Sequence, residues 1–130
     1  MGNSVMKTIL VTILKTFTNF GSTKMVFIFR TDLKPTRGKL ATQTADAAVL
    51  LYEKALNSDN EHLKSWLRFG QPKIVLKIGD ESSLKNLFEV GMKNNLSLVK
   101  VMEENQLVAV GIGPNLTKDI DNVTKGLKLL

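Results

Sequence analysis

Five consecutive apolar residues, Met25-Val26-Phe27-Ile28-Phe29, stand between Lys24 and Arg30. A strand with one wet face alternates apolar and polar side chains, so this unbroken run predicts a strand buried on both faces. Strands of that kind belong to α/β layers. Gly21 and Ser22 punctuate the chain before it. A polar loop from Thr31 to Gly38 follows, in which Pro35 excludes helix and Gly38 supplies a flexible turn. From Lys39 to about Asn57, residues Leu40, Ala41, Ala45, Ala48, Leu51, Tyr52 and Ala55 keep helical spacing. Small side chains in its first half allow that helix close to the sheet. A short helix near Glu61 to Phe69 is expected to end at Gly70 and Pro72, with His62 as an exposed residue and Trp66 in the core.

Lys73 to Ile78 alternates as a strand, Ser82 to Met92 is helical, and Leu96 to Met102 is extended. Glu103-Glu104-Asn105 has the length of a hairpin connection to Gln106 through Val110. Gly111-Ile112-Gly113-Pro114 is expected to stop that strand. A last helix near Leu116 to Thr124, capped by Thr117 or Asn115, precedes a short apolar terminus, Leu127 to Leu130. The order β-α-α-β-α-β-β-α predicts an α/β fold, a three-layer α-β-α arrangement with a mixed four-stranded sheet.

At 130 residues the chain has room for one core. The absence of Cys removes disulfides, thiolate nucleophiles and Cys-based metal sites, and with His62 the single histidine, clusters of several His ligands are excluded. A Ser-His-Asp relay would have to run through His62. Asp119 and Asp121 lie two residues apart on a helix and point to different sides, so no metal site is expected. Gly111-x-Gly113 lacks the third glycine of a dinucleotide fingerprint, so no cofactor is expected either.

The net charge of +6 is localised: residues 1–45 hold seven cations against Asp32 alone, and the remainder cancels. Such a field attracts polyanions, nucleic acid or an anionic membrane surface. Within residues 1–23, Val5, Met6, Ile9, Leu10, Ile13, Leu14 and Phe17 recur on one helical face. Apolar runs there reach only three residues, too few to cross a bilayer. The chain therefore divides into an amphipathic extension, 1–23, and a domain, 24–130. An extra helix, a targeting segment and a membrane-surface contact remain open readings of the extension.

The run Lys24-Met25-Val26-Phe27-Ile28-Phe29-Arg30-Thr31-Asp32-Leu33, followed by Gly38-Lys39-Leu40-Ala41-Thr42-Gln43, resembles the opening of the archaeal and eukaryotic (type II) peptidyl-tRNA hydrolases. Trp66, Gly70-Gln71-Pro72-Lys73-Ile74-Val75-Leu76-Lys77, Gly111-Ile112-Gly113-Pro114 and the segment from Ile120-Asp121 to Leu130 continue the resemblance in order. It implies a mixed sheet between helices, often a homodimer, and cleavage of the ester joining a stalled peptide to the terminal ribose of tRNA. Lys39 matches the lysine considered catalytic in that family. Gln43, one helical turn later, faces the same side. Lys34, Arg37 and Lys73 are candidate tRNA phosphate contacts, and Arg30 and Asp32 are expected to form an ion pair that shapes the loop. The absence of Cys suits the cytoplasm, the expected location, and a targeting segment at 1–23 would make the mitochondrion the alternative.

The departures are local. Typical members carry an Asp-Ala-Gly-Arg-Thr stretch and a Pro-Gly loop between the third and fourth strands, and here that connection has collapsed to Glu103-Glu104-Asn105. Val108 stands where a threonine is often found, and Thr44 and Asp46 stand where Cys and His are common. Glu103 or Glu104 is open to replace the lost acid, although adjacent glutamates in a tight turn are expected to be solvated. Two functions follow: a peptidyl-tRNA hydrolase of reduced activity, or a catalytically inactive paralogue that binds tRNA or a protein.

Overall fold

The computed structural model describes residues 4–7 and 21–130; residues 4–7 have helical backbone. The amphipathic face expected over 1–23 therefore falls largely outside the described residues. The elements are β1 (Thr23–Arg30), α1 (Arg37–Asn57), α2 (Leu63–Arg68), β2 (Lys73–Ile78), α3 (Glu81–Lys93), β3 (Leu98–Glu103), β4 (Gln106–Leu116), α4 (Thr117–Thr124) and β5 (Lys128–Leu129). They build an α/β fold with a mixed five-stranded sheet, order β3-β4-β1-β2-β5, in which only β1 and β2 run parallel.

β1 occupies the centre of the sheet, and Met25 through Phe29 are at most 1% exposed. Val26 and Ile28 pack with Leu84 and Leu87 of α3 and Ile120 of α4. Met25, Phe27 and Phe29 face the other way, toward Ala47, Leu51 and Ala55 of α1 and Leu63 and Trp66 of α2. The apolar run is thus the spine of two cores, one on each face. Burying side chains of this size stabilises by roughly 1.5–3 kcal/mol each. Gly111 of β4 lets α1 settle closely, since a Cβ there would lie 3.1 Å from the Leu51 side chain.

Four expectations are corrected. The sheet has five strands, not four, because the terminus beyond Leu127 adds β5 to the edge of β2, with Leu130 N donating to Val75 O at 3.1 Å. β4 does not stop at Gly111-Ile112-Gly113-Pro114 but runs through to Leu116. The ladder shifts between Lys24 and Val26 at that point, so Gly113 and Pro114 face Met25 together and the missing proline N–H costs no ladder bond. Neither Asn115 nor Thr117 caps α4: Asn115 Oδ1 accepts from Ser97 N at 2.9 Å, while Thr117 N donates to Ser22 O at 2.7 Å. His62 is half-buried at the start of α2, with Nε2 3.4 Å from a Glu61 carboxylate oxygen.

The inward stripe of α1 is also narrower than its sequence spacing suggests. Leu40 and Ala48 pack against the core partly buried, whereas Ala41, Ala45 and Tyr52 are exposed. Gly113 adopts φ +114°, and a Cβ there would collide with the Lys24 carbonyl. Gly113→Ala combines that collision with backbone strain and should cost about 3 kcal/mol, read as a lowered midpoint in urea unfolding.

Candidate active site around Lys39

The site forms where β1 ends. Arg30 closes the buried run, and its guanidinium, with a side chain only 8% exposed, needs partners on every side. Asp32 takes it in a fork, Oδ1 from Nε at 3.0 Å and Oδ2 from Nη2 at 2.7 Å. Nη1 donates to Glu81 Oε2 at 3.0 Å and to Leu107 O at 3.1 Å. The expected Arg30–Asp32 pair is present, and it shapes the loop while also tying α3 and the hairpin to β1. Asp32 is held below the ordinary carboxylate range by the Arg30 hydrogen bonds. Glu81 is likewise lowered, by Lys85 first and then by Leu107 N and Arg30.

The loop delivers the chain to α1, whose N-cap is Thr36; its hydroxyl accepts from Lys39 N at 3.2 Å. That cap starts the helix at Arg37, two residues before the expected Lys39, and fixes Lys39 in the first turn. One turn on, Gln43 shares its face. Both reach one acceptor: Glu103 Oε1 takes Lys39 Nζ, and Oε2 takes Gln43 Nε2 at 3.1 Å. Phe29, Leu33, Pro35 and Val108 wall a small cavity of about 40 Å³ beside these groups, room for one or two waters.

The hydrogen bond and charge of Glu103 raise the Lys39 pKa, so Lys39 stands as an ammonium at neutral pH. The Lys39 hydrogen bond, aided by Gln43, holds Glu103 below the usual range. An ammonium beside a helix amino end can bind phosphate or an oxyanion. Thus the structure brings Lys39 and Gln43 together, with Lys34 and Arg37 exposed on the adjoining loop and first turn. Lys73 is not gathered there: it is in register with Met25, at the far end of β1 from Arg30, with Nζ 5.1 Å from the Trp66 ring centroid.

Glu103 is the residue the sequence reading undervalued. It is no loop residue but the last of β3, and the turn itself is Glu104-Asn105, with φ of 49° and 64°. Val99 and Val101 face α1, so the two-residue period carries Glu103 to the same side. That alternation was the available signal. Glu104 is exposed, as expected for a turn glutamate. Among the described residues no group of three or more His, Cys, Asp or Glu side chains is placed to hold a metal ion, and no helix is long and apolar enough to cross a membrane.

Known proteins are similar to this chain in sequence, and one solved structure is similar in fold. The profile of the peptidyl-tRNA hydrolase PTH2 family matches residues 23–130. A peptidyl-tRNA hydrolase of Sulfurisphaera tokodaii is 39% identical over 84% of this chain and 99% of its own length. One from Staphylothermus marinus is 40% identical over 82% of this chain and 94% of its own length. The mouse protein called peptidyl-tRNA hydrolase 2, mitochondrial, is 36% identical over 84% of this chain and 64% of its own length. A solved structure of an Agrobacterium protein of unknown function superposes with a TM-score of 0.53 at 16% identity, covering 85% of this chain and 98% of that one. The last likeness speaks to the fold alone.

Two outcomes test the charge network under the site. Arg30→Met leaves Asp32 without its counter-charge, Glu81 with Lys85 alone and the Leu107 carbonyl without the guanidinium donor, and should cost about 2–3 kcal/mol in chemical unfolding. Asp32, Glu81 and Glu103 all lie below their ordinary pKa values in the folded chain. Their contribution is therefore complete above the unfolded values, about 4 to 4.5, and is lost as pH falls through the folded ones. Urea midpoints should hold between about pH 7 and 5.5 and decline below about pH 4.

Proposed function

Since the chain belongs to the peptidyl-tRNA hydrolase PTH2 family, we propose that it hydrolyses the ester between a peptide and the terminal ribose of tRNA, with Lys39 as the principal catalytic group. The observation that carries this reading is the Lys39 ammonium, held at a small cavity beside Gln43 and Glu103. Ester hydrolysis places negative charge on the carbonyl oxygen in the transition state. An ammonium held beside that oxygen stabilises the charge more than it stabilises the neutral ester, which is what accelerates the step. A cavity of one or two waters suits the nucleophile; the tRNA itself must lie outside it. Lys34 and Arg37, exposed on the loop and first turn that precede Lys39, supply contacts for backbone phosphates near the ester, and Lys73 supplies a more distant one.

Turnover is expected to be slow relative to members with the full loop. A two-residue turn joins β3 to β4, and Val108 on the cavity wall has no hydroxyl to donate. One missing oxyanion donor costs about 100- to 1,000-fold in rate. The same truncation favours a second reading, an inactive tRNA-binding paralogue.

Single-turnover release of deacylated tRNA, with protein in excess, separates the two. Slow cleavage that Lys39→Ala reduces by at least about 100-fold is expected. Cleavage that survives Lys39→Ala defeats the mechanism, and binding without cleavage favours the inactive paralogue. Binding should weaken with salt, and Lys34→Ala or Arg37→Ala should each lower the slope of log affinity against log salt by about one unit.

A further inference from the structure

Two lysines of the outer strands have no part in the site described above, Lys77 of β2 and Lys128 of β5. Val75 packs with the α1-facing core, so the two-residue period of β2 turns Lys73 and Lys77 to that same face. Lys77 lies beside Phe29 in the parallel ladder and opposite Lys128 in the antiparallel one, and residues paired across a ladder share a face. Phe29 in turn walls the cavity that Lys39 lines. Phe29, Lys77 and Lys128 therefore form one row across the sheet, with the two lysines about 5 and 10 Å beyond the cavity wall. The loop that leads to Lys39 springs from the same place, since Ile78 O accepts from Thr31 N at 2.9 Å. Like charges directly opposite one another weaken a strand pair, and no acidic side chain among the described residues bridges these two. Both are exposed, and neither ammonium makes a hydrogen bond, ion pair or ring contact with the described residues, whereas Lys24, Lys39 and Lys85 all have carboxylate partners. Asp80, three residues beyond Lys77, is engaged in capping α3, its Oδ1 accepting from Ser83 N at 2.7 Å. Lysines also guard exposed sheet edges, but only Lys128 sits on the edge strand; Lys77, on the inner one, has no edge to guard. Two opposed, unpartnered cations on one sheet face suit a ligand that brings its own row of negative charges.

We propose that Lys77 and Lys128 bind backbone phosphates of tRNA, so that the nucleic acid leaves the ester across β2 and β5 and continues toward Lys73, on the same face about 13 Å along β2. This path rests on the tRNA substrate of the reading above and gives it a direction across the sheet. Phosphate contacts position a nucleic acid and carry no sequence information of their own. Lys77 and Lys128 stand beside the cavity rather than in it, so they act on substrate affinity and leave the cleavage step of the bound complex alone.

The test uses the full chain with Lys77→Gln, Lys128→Gln, the double variant and, as a control, Lys93→Gln at the end of α3, the helix that covers the other face. Binding of deacylated tRNA is measured at several salt concentrations, and cleavage of an N-acetylated aminoacyl-tRNA with protein in excess. Each single substitution should weaken binding about 3- to 10-fold at low salt and lower the slope of log affinity against log salt by about one unit, the double variant by about two, and Lys93→Gln by none. Half-saturation of cleavage should rise by the same factors while the rate at saturation changes less than about twofold. Urea midpoints should stay level or rise, because one of two opposed charges has gone. Unchanged tRNA affinity, a slope shift shared by Lys93→Gln, or a loss confined to the saturated rate would each overturn the contacts. Weaker binding to phosphatidylserine vesicles with tRNA binding intact would make the pair a membrane patch and overturn them as well. A native chain that cleaves nothing, yet loses tRNA affinity on Lys77→Gln and Lys128→Gln with the expected slopes, overturns the esterase reading and supports the path across β2 and β5.

Discussion

A guanidinium at the end of a wholly buried strand cannot be left without partners, and the local architecture follows from meeting that demand. Arg30 ends the run from Met25 to Phe29 and draws in Asp32 from the loop, Glu81 from α3 and the Leu107 carbonyl from β4. Desolvating one charge is costly, and three acceptors from three elements offset it only if all three elements stand in fixed places. The loop path to Thr36 and α1, the seat of α3 and the base of the β3–β4 hairpin are therefore specified together. Lys39 of α1 and Glu103 of β3 meet beside this cluster, on the cavity that Arg30 also lines.

Stability and chemistry are divided between the two sides of the same residues. Phe29 belongs to the α1-facing core and also walls the cavity, as does the partly exposed pair Leu33 and Pro35 from the loop. The core thus presents an apolar surface beside Lys39, whose own side chain stays exposed. Gln43, half-buried on α1, and Glu103, half-buried on β3, supply the polar groups at its margin.

What could be read from the sequence was what depends on neighbours along the chain. The five apolar residues of β1 announced a two-sided core, and the helical spacing of α1 placed Gln43 on the side of Lys39. What was missed depends on partners distant in sequence. Gly113 and Pro114 read locally as strand breakers, but a bulge against β1 absorbs them. Asn115 and Thr117 look like caps for α4, yet their bonds go to Ser97 and Ser22. β5 is two residues long and carries no period at all; the open edge of β2 makes it a strand. Glu103 was hidden by a boundary error of one residue, since in a turn it would be solvated, while as the last strand residue it must share the face of Val99 and Val101.

That last point gives the turn a significance beyond joining two strands. Glu104 and Asn105 place no side chain in the site, yet the number of residues between β3 and β4 determines which strand positions oppose one another. In a pleated ladder a one-residue slip exchanges the two faces, so adding or removing a single residue would carry Glu103 away from α1 unless a bulge, such as the register shift between Val101 and Met102, absorbed it. The length of this connection therefore bears on which side chain meets Lys39 and Gln43.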